Sequence, residues 1–430
     1  MTVALIGFAV LFVLCFLGVP LAVGLLTVGT VGFGYFRGFG AAGSVVGQQI
    51  TDAFSSYGFS VIPLFVLMGA FIHRAGLADD LFNGARAWLG HIRGGMAQTT
   101  IGASAAFAAV CGSSIATAAT MSRVSLPQMK RYDYNDGFAC GAVAAGGTLG
   151  ILIPPSVPLV IFGILTETDI TGLFMAALVP GVLLALLYMC AAWLVVLFRP
   201  ELGRPAAPVS WRERLTASRR TAIVGTLFVV VLGGMYLGVF TPTEAAGVGA
   251  AGAFLIMALR RAASRTAVRE ALTESVLTTA ALLMVVGSAL VFNTFLTISG
   301  LTAELVTLIN SVNVSPLGVI TVICVIYLLL GCVFDSLAAM ILTVPVFTPI
   351  AVSLGYDPLW FGVVVVIVVE LGLITPPLGM NVFIVKNLAP DVPVWRIFAG
   401  VSPFVLANIV GLTLVVLLPA MALWLPELLN

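Results

Sequence analysis

Two short motifs inside apolar sequence hold the residue types most suited to chemistry in this chain. Residues 150–155 read GILIPP and residues 372–377 read GLITPP, and their prolines are Pro154, Pro155, Pro376 and Pro377. Proline lacks the amide proton of a helical hydrogen bond and its ring clashes with the preceding turn, so each motif should interrupt a helix. Freed backbone groups are tolerated at membrane depth only inside protein or around a cavity. The motifs therefore predict a binding site for an ion or a small solute.

Three carboxylates near predicted helix breaks are candidates for this chemistry. Asp335 and Glu370 lie well inside stretches of predicted membrane depth, where a charged side chain costs roughly 2.5–3.5 kcal/mol, so both are candidates for function. Asp335 is suited to bind a cation or a substrate hydroxyl. For Glu370, two residues before Gly372, a structural hydrogen bond and ion coupling both remain open. Glu244 follows Pro242, where a structural role is favoured.

Enzymatic chemistry and metal cages are disfavoured by the placement of these groups. Asp335 and Glu370 fall on separate predicted elements, whereas an intramembrane acid pair needs two carboxyl groups close together. The six cysteines form no CxxC pair and are interpreted as buried free thiols. His73 and His91 lack metal-ligand spacing, so surface roles are favoured. We expect no catalytic residues and no cofactor.

The scarcity of charge sets the class of protein. Of the 430 residues, 60% are hydrophobic and 9% are charged, whereas a soluble domain has about 25% charged residues. This composition predicts an all-α polytopic membrane protein, and it offers no strongly basic field for nucleic acid. The first residues lack the basic region of a secretory signal, so they are expected to remain as a transmembrane element.

Glycine, proline and polar residues divide the apolar sequence into elements. Residues 3–36 are too long for one span and should form two, broken near Gly18. Residues 95–131 and 315–352 should be re-entrant hairpins with tips at 112–114 and 331–336. The other predicted elements are a connection at 37–58, spans at 61–72, 171–198, 221–240, 245–259, 270–292 and 396–425, interfacial helices at 73–93 and 300–312, broken helices at 136–165 and 358–386, and a basic linker at 199–220.

The basic residues orient these elements. If both hairpins leave on the side they enter, every Lys and Arg except Arg37 falls on connections of one side. Connections rich in basic residues face the cytoplasm. The basic loops should therefore be cytoplasmic, with both chain ends outside.

An internal repeat relates the two hairpins and the two breaks. Residues 111–169 align without a gap with residues 333–391, which pairs Ser114 with Ser336 and Pro154 with Pro376. An odd number of predicted crossings separates the copies, so the second copy should be inverted. Inverted repeats with discontinuous helices are typical of secondary transporters. We expect scaffold helices at 1–75, a first repeat at 76–198, a basic linker with scaffold helices at 199–275, and a second repeat at 276–430.

Four stretches of the sequence resemble one transporter family. Residues 112–120 (GSSIATAAT), 150–158, 241–247 (TPTEAAG) and 370–381 (ELGLITPPLGMN) resemble the large membrane subunit of tripartite ATP-independent periplasmic (TRAP) transporters. The resemblance implies sodium-coupled import of a small organic acid, typically a carboxylate, across a bacterial inner membrane by an elevator motion. It also implies a small four-helix membrane subunit and a periplasmic solute-binding protein as partners.

The resemblance and the repeat together suggest two sodium sites, the only metal expected. One should lie between Ser113, Ser114 and the break Gly150 to Pro154, and the other between Asp335, Ser336 and the break Gly372 to Thr375. Sodium prefers oxygen ligands, and unwound backbone supplies carbonyls. Small-residue helix packing is the alternative role for the two hairpin serines.

An anionic substrate needs positive potential, which half-helix amino ends near these tips and breaks can supply. Thr117, Ser156 and Asn381 are then expected to hydrogen-bond the substrate. Arg37 could contact the substrate or the binding protein, and a role as an interfacial anchor is equally open.

Two other transport hypotheses remain: a stand-alone carrier of the broader hairpin superfamily that needs no binding protein, and a channel, which closed hairpin tips disfavour.

Overall fold

The computed structural model describes residues 2–311 and 314–429, and within these ranges every regular element is a helix. Nine helical segments of the described chain are long and apolar enough to cross a bilayer. The predicted all-α, multi-pass architecture is therefore confirmed. Residues 1 and 430, at the ends of two predicted units, and residue 312, at the end of a predicted interfacial helix, lie outside the described residues.

The N-terminal region contains one more helix than the sequence predicts. Its helices are α1 (Thr2–Phe16), α2 (Leu21–Arg37), α3 (Phe39–Ser55) and α4 (Val61–Arg74). The break near Gly18 is confirmed, but the predicted connection at 37–58 is wrong because α3 fills most of it. An ideal Cβ built on Gly287 of a neighbouring span would lie 2.9 Å from Ile50 Cδ1. The missing side chain at Gly287 lets α3 pack closely, which favours the helix.

The first repeat contains the predicted surface helix, hairpin, broken helix and span. Its helices are α5 (Leu77–Leu89), α6 (Gly95–Cys111), α7 (Ser114–Arg131), α8 (Asp136–Leu152), α9 (Val157–Thr166) and α10 (Ile170–Phe198). The hairpin turns at Gly112 and Ser113, inside the predicted tip. The broken helix is interrupted at residues 153–156, as the GILIPP motif predicts.

The middle of the chain corrects the predicted basic linker at 199–220. Its helices are α11 (Trp211–Phe228), which continues through a π-helical turn (Val229–Gly233) into α12 (Gly234–Tyr236), then α13 (Pro242–Leu259) and α14 (Arg265–Ile298). Helix α11 begins ten residues before the predicted span because Ser210 and Glu213 form a capping box. Thr241 and Glu244 form a second capping box at the start of α13. The predicted end of α14 near Phe292 falls short of its observed end.

The second repeat follows the same order of elements. Its helices are α15 (Leu301–Ser311), α16 (Pro316–Val333), α17 (Ser336–Ser353), α18 (Pro358–Gly372), α19 (Met380–Leu388), α20 (Val394–Leu417) and α21 (Ala420–Leu429). The single predicted span at 396–425 is wrong, because the chain leaves the helix at Leu418 and Pro419 before α21 begins.

The two repeats are interlocked at their centres. Helix α9, which follows the first break, packs against α17 of the second hairpin, and α19, which follows the second break, packs against α7 of the first hairpin. The spans α10 and α20 also pack together. The exchange is reciprocal, as expected for two copies related by symmetry, and it brings each hairpin against the half-helix of the other repeat.

Candidate functional site

The tip of the first hairpin packs directly on the first helix break. An ideal Cβ on Gly150 would lie 2.6 Å from the Ser113 carbonyl oxygen and 2.8 Å from Thr117 Oγ1. Only glycine permits this approach, because real Cβ atoms essentially never come within 3.0 Å of such atoms. The structure thus brings Ser113 and Gly150 together, as the repeat predicts. Pro154 and Pro155 are joined by a cis peptide bond, and both are buried.

The second tip packs on the second break in the same way. An ideal Cβ on Gly372 would lie 2.5 Å from the Gly331 carbonyl carbon, and the Gly379 amide donates to the Cys332 carbonyl at 3.4 Å. The Pro376–Pro377 peptide bond is also cis. This break is the more open of the two, since Pro376 and Pro377 are exposed and Thr375 is half-buried.

Helix caps occupy the residues at the starts of the half-helices. Ser113 Oγ accepts a hydrogen bond from the Ala116 amide at 3.3 Å, and at the repeat-related position Asp335 Oδ1 accepts from the Ala338 amide at 2.6 Å. Ser156 Oγ accepts from the Leu159 amide at 3.4 Å. Capping a free amide is the structural role such residue types commonly have. Each cap leaves other oxygen lone pairs available to a ligand.

Glu370 links the two repeats. Its side chain is fully buried at 0% exposure, and Glu370 Oε2 accepts a hydrogen bond of 2.7 Å from Ser114 Oγ at the first hairpin tip. Glu370 Oε1 has no hydrogen-bond partner among the described residues. Glu370 therefore forms a structural hydrogen bond, which the sequence left open. Its partner is Ser114 of the first hairpin and not the neighbouring break at Gly372.

Two more buried oxygens lie beside this contact. Thr117 Oγ1 and Asn381 Oδ1 have no hydrogen-bond partner within the described chain, and both side chains are fully buried. Asn381 Nδ2 donates to the Ala144 carbonyl at 3.4 Å and lies 3.2 Å from an ideal Cβ on Gly147. Asn381 lies beside Gly147, and Thr117 lies beside Gly150, one helical turn further along α8. Both side chains therefore pack against the same face of α8. Buried oxygens without donors are rare, and a cation or a substrate donor would satisfy them.

One cavity joins the two hairpin tips. It has a volume of about 450 Å³ and is lined at the tips by Ser113, Ser114, Asp335 and Ser336. Helices α4 and α14 close it on the other side. The structure therefore gathers hairpin residues of both predicted sodium sites around a single space, although they are far apart in the sequence.

The sequence matches the family model of the tripartite ATP-independent periplasmic transporter, DctM component, over residues 8–421. The chain belongs to this family. Among similar proteins, the C4-dicarboxylate TRAP transporter large permease protein DctM of Pseudomonas aeruginosa is 36% identical over 88% of each chain. The sialic acid TRAP transporter large permease protein SiaM of Vibrio cholerae is 33% identical over 89% of each chain. This DctM-family member is therefore a transport protein and not an enzyme.

A solved structure supports the fold. The YdaH transporter of Alcanivorax borkumensis superposes with a TM-score of 0.64 over 91% of this chain and 89% of that chain, at 16% sequence identity. At that identity the likeness concerns the fold alone. It confirms the hairpin-type fold of this DctM-family member.

The remaining predicted site residues of this DctM-family chain lie outside the cavity. Thr117, Ser156, Asn381 and Thr375 are close to the breaks but do not line it, and Arg37 is exposed at the end of α2. Arg37 does not line the cavity between the hairpin tips. The structure therefore does not bring Arg37 together with the other candidates.

Three cavity residues with basic or acidic side chains were missed from the sequence: Arg123, His73 and Glu274. Arg123 makes no ion pair among the described residues, whereas Glu274 pairs with Arg74 at 2.7 Å. The signal for Arg123 was available, since Ala116, Thr120 and Arg123 follow the helical period of α7 and share one face.

A second cavity lies along the other half of α14. It has a volume of about 770 Å³ and is lined by Asn293 and Thr297 of α14 and by Pro345 of α17, whereas the first cavity reaches Glu274 at the other end of α14. Pro345 is the repeat equivalent of Arg123. The repeat partner of this second cavity is a separate cavity of about 340 Å³ that Arg123 also lines, because Val344, Thr348, Pro349 and Val352 are the equivalents of Ser122, Leu126, Pro127 and Lys130.

Proposed function

We propose that this protein is the large membrane subunit of a sodium-coupled importer of a small organic acid in the bacterial inner membrane. A periplasmic solute-binding protein would deliver the substrate, and a small four-helix membrane subunit would complete the transporter. The supporting observation is the single cavity between two hairpin tips, each packed on its own Gly-Pro-Pro break. Membership in a family of tripartite transporters supports the assignment of partners.

The oxygen groups around each tip suit a hard cation. We infer that the first sodium ion is held between Ser113, Ser114 and the break at Gly150, and the second between Asp335, Ser336 and the break that includes Thr375. Backbone carbonyls of unwound helix coordinate sodium without burying a full negative charge. Asp335 makes the second site the more polar one.

The cavity also suits an anion. Arg123 contributes a fixed positive charge without a carboxylate partner among the described residues, and the amino ends of α7 and α17 point toward the space through Ser114 and Ser336. Planar guanidinium groups bind carboxylates with two parallel hydrogen bonds. The names of the two relatives, for C4-dicarboxylate and sialic acid permeases, agree with a carboxylate substrate.

An elevator motion would exchange the two cavities. In this proposal, the hairpins and broken helices slide along α14, so that the substrate space opens first toward one half of this long helix and then toward the other. The presence of one cavity at each half of α14 supports this movement.

Reconstituted transport tests the assignment. Proteoliposomes that contain this subunit and its small membrane subunit should accumulate the organic acid only when the cognate binding protein is added. Saturable uptake that proceeds equally well without the binding protein would support the stand-alone carrier instead. A non-saturating flux would indicate a channel.

A further inference from the structure

A basic cavity lies in the groove between α5 and α11, away from the hairpin tips. It has a volume of about 430 Å³. Its polar and charged lining residues are Asp80, Asn83, Arg86, Arg212, Glu213, Thr216 and Arg220. The transport cycle proposed above does not use this space.

The two acids in the lining are occupied by other partners. Asp80 forms an ion pair with Arg260, and Glu213 Oε2 accepts the Ser210 amide at 3.1 Å in the capping box of α11. The three arginines Arg86, Arg212 and Arg220 make no ion pair with any described residue. The cavity therefore has an excess of positive charge that a bound anion could neutralise.

Helical spacing directs these arginines into one groove. Arg212, Thr216 and Arg220 lie four residues apart along α11, so they share one face. Arg86 lies opposite on α5, one turn after Asn83. Arg219 is also on α11 but does not line the groove. Its substitution therefore serves as a control that removes a positive charge from α11 without changing the groove.

Aromatic and apolar side chains beside the groove indicate a membrane interface. The Arg214 guanidinium lies 5.6 Å from the ring centre of Trp88 and 5.1 Å from that of Trp211. Trp211 and Leu215 are 73% and 74% exposed. Tryptophan is enriched where headgroups meet acyl chains, and here the exposed Trp211 directly precedes the groove residue Arg212 in α11, so apolar and charged contacts lie side by side.

We propose that this groove binds the phosphate headgroup of an anionic phospholipid. Arg86, Arg212 and Arg220 donate to the phosphate oxygens, and the acyl chains cover Trp211 and Leu215. The basic loops are predicted to be cytoplasmic, and the cytoplasmic leaflet is the one enriched in anionic lipid. A bound lipid would tie α11 to α5, which packs against hairpin helix α6.

Native mass spectrometry of the full-length subunit tests this site. The protein is titrated with phosphatidylglycerol and, separately, with phosphatidylcholine. The triple variant Arg86→Gln, Arg212→Gln, Arg220→Gln should bind phosphatidylglycerol roughly 100-fold more weakly than wild type, at about 1 kcal/mol per arginine. The control variant Arg219→Gln, Arg265→Gln, Arg269→Gln removes the same charge from exposed positions outside the groove and should bind like wild type.

Four results would overturn the proposal. Equal weakening in both triple variants would mean that general surface charge attracts the lipid, and equal affinity for both lipids would exclude headgroup charge. Competition by inorganic phosphate at micromolar concentration would indicate a site for free phosphate. Displacement of the lipid when the small membrane subunit binds would assign the groove to a protein contact. If the triple variant unfolds, a double variant that changes only the exposed residues, Arg212→Gln and Arg220→Gln, replaces it. This double variant should bind phosphatidylglycerol at least about 10-fold more weakly than wild type.

Discussion

A single hydrogen bond of 2.7 Å between Ser114 and Glu370 joins the first hairpin to the second broken helix. The carboxyl group has no exposed surface and its second oxygen has no partner among the described residues. A buried carboxylate in such surroundings is unfavourable unless a proton or a cation neutralises it. We infer that sodium near Ser114 depends on the charge of Glu370.

Replacing Glu370 by glutamine tests this dependence. The amide oxygen of the substituted side chain could still accept from Ser114, but the negative charge would be lost. We expect the sodium concentration for half-maximal uptake to rise by roughly 10-fold or more, since charges a few ångströms apart interact by up to about 4 kcal/mol at an intermediate dielectric. The exposed variant Glu201→Gln should leave the sodium dependence unchanged. Unaltered sodium dependence in Glu370→Gln would assign Glu370 a structural role alone.

Thr375 and Ile153 occupy equivalent positions in the two breaks and form a matched pair. Thr375 Oγ1 donates to the Leu371 carbonyl at 2.6 Å, so its lone pairs remain free to bind a cation. Thr375→Val should therefore weaken sodium dependence more than Ile153→Val, which removes only a methyl group. Sodium titrations of uptake compare the two variants, and an equal effect of both would argue against side-chain coordination at the second break.

Arg123 is expected to bind the substrate carboxylate. Loss of a charge-assisted hydrogen bond costs about 1.5–3 kcal/mol, so Arg123→Gln should raise the KM for the organic acid by roughly 10-fold or more. Arg131→Gln provides the control, because Arg131 is exposed at the end of the same helix and does not line the cavity that contains Arg123 between the hairpin tips. Similar KM values for both variants would remove Arg123 from the substrate site.

At the scale of the elements, local signals in the sequence located most of the transporter. Glycine and paired prolines marked both breaks, and small polar residues marked both hairpin tips, because these residue types change the backbone directly. The Ser210-to-Glu213 capping box was an available signal for the start of α11. Helix α3 was missed because its stability comes from close packing at Gly287, which depends on the tertiary fold.

The capping box formed by Thr241 and Glu244 gives the Glu244 carboxylate a structural role at the start of α13. Its carboxylate accepts the amide and the hydroxyl of Thr241, both at 2.9 Å. Thr241→Ala should lower the Tm by roughly 1–2 °C through loss of the cap, without changing sodium dependence. Glu244→Gln preserves the capping-box pattern and should have a smaller effect. A change in sodium dependence in either variant would contradict a purely structural role.

At the scale of the whole molecule, the repeat predicted two symmetry-related sites, each formed by one hairpin tip and one helix break. The sequence could not show which residues of one repeat contact which residues of the other. Ser114 and Glu370 are 256 residues apart, so their hydrogen bond leaves no local pattern in the sequence. The helical period of α7 puts Arg123 on the same face as Ala116 and Thr120, but the sequence could not show that α4 and α14 close a cavity over that face. Arg123 lines the cavity between the tips and has Pro345 as its repeat equivalent, so this positive charge belongs to the first repeat alone.

Uptake by the assembled transporter under defined ion gradients is the decisive test of sodium coupling. Proteoliposomes with both membrane subunits and the binding protein are given an inward sodium gradient, no gradient, or an inward potassium gradient of the same size. We predict that the organic acid accumulates above its external concentration only with the inward sodium gradient. Equal accumulation under all three conditions would contradict sodium-coupled import.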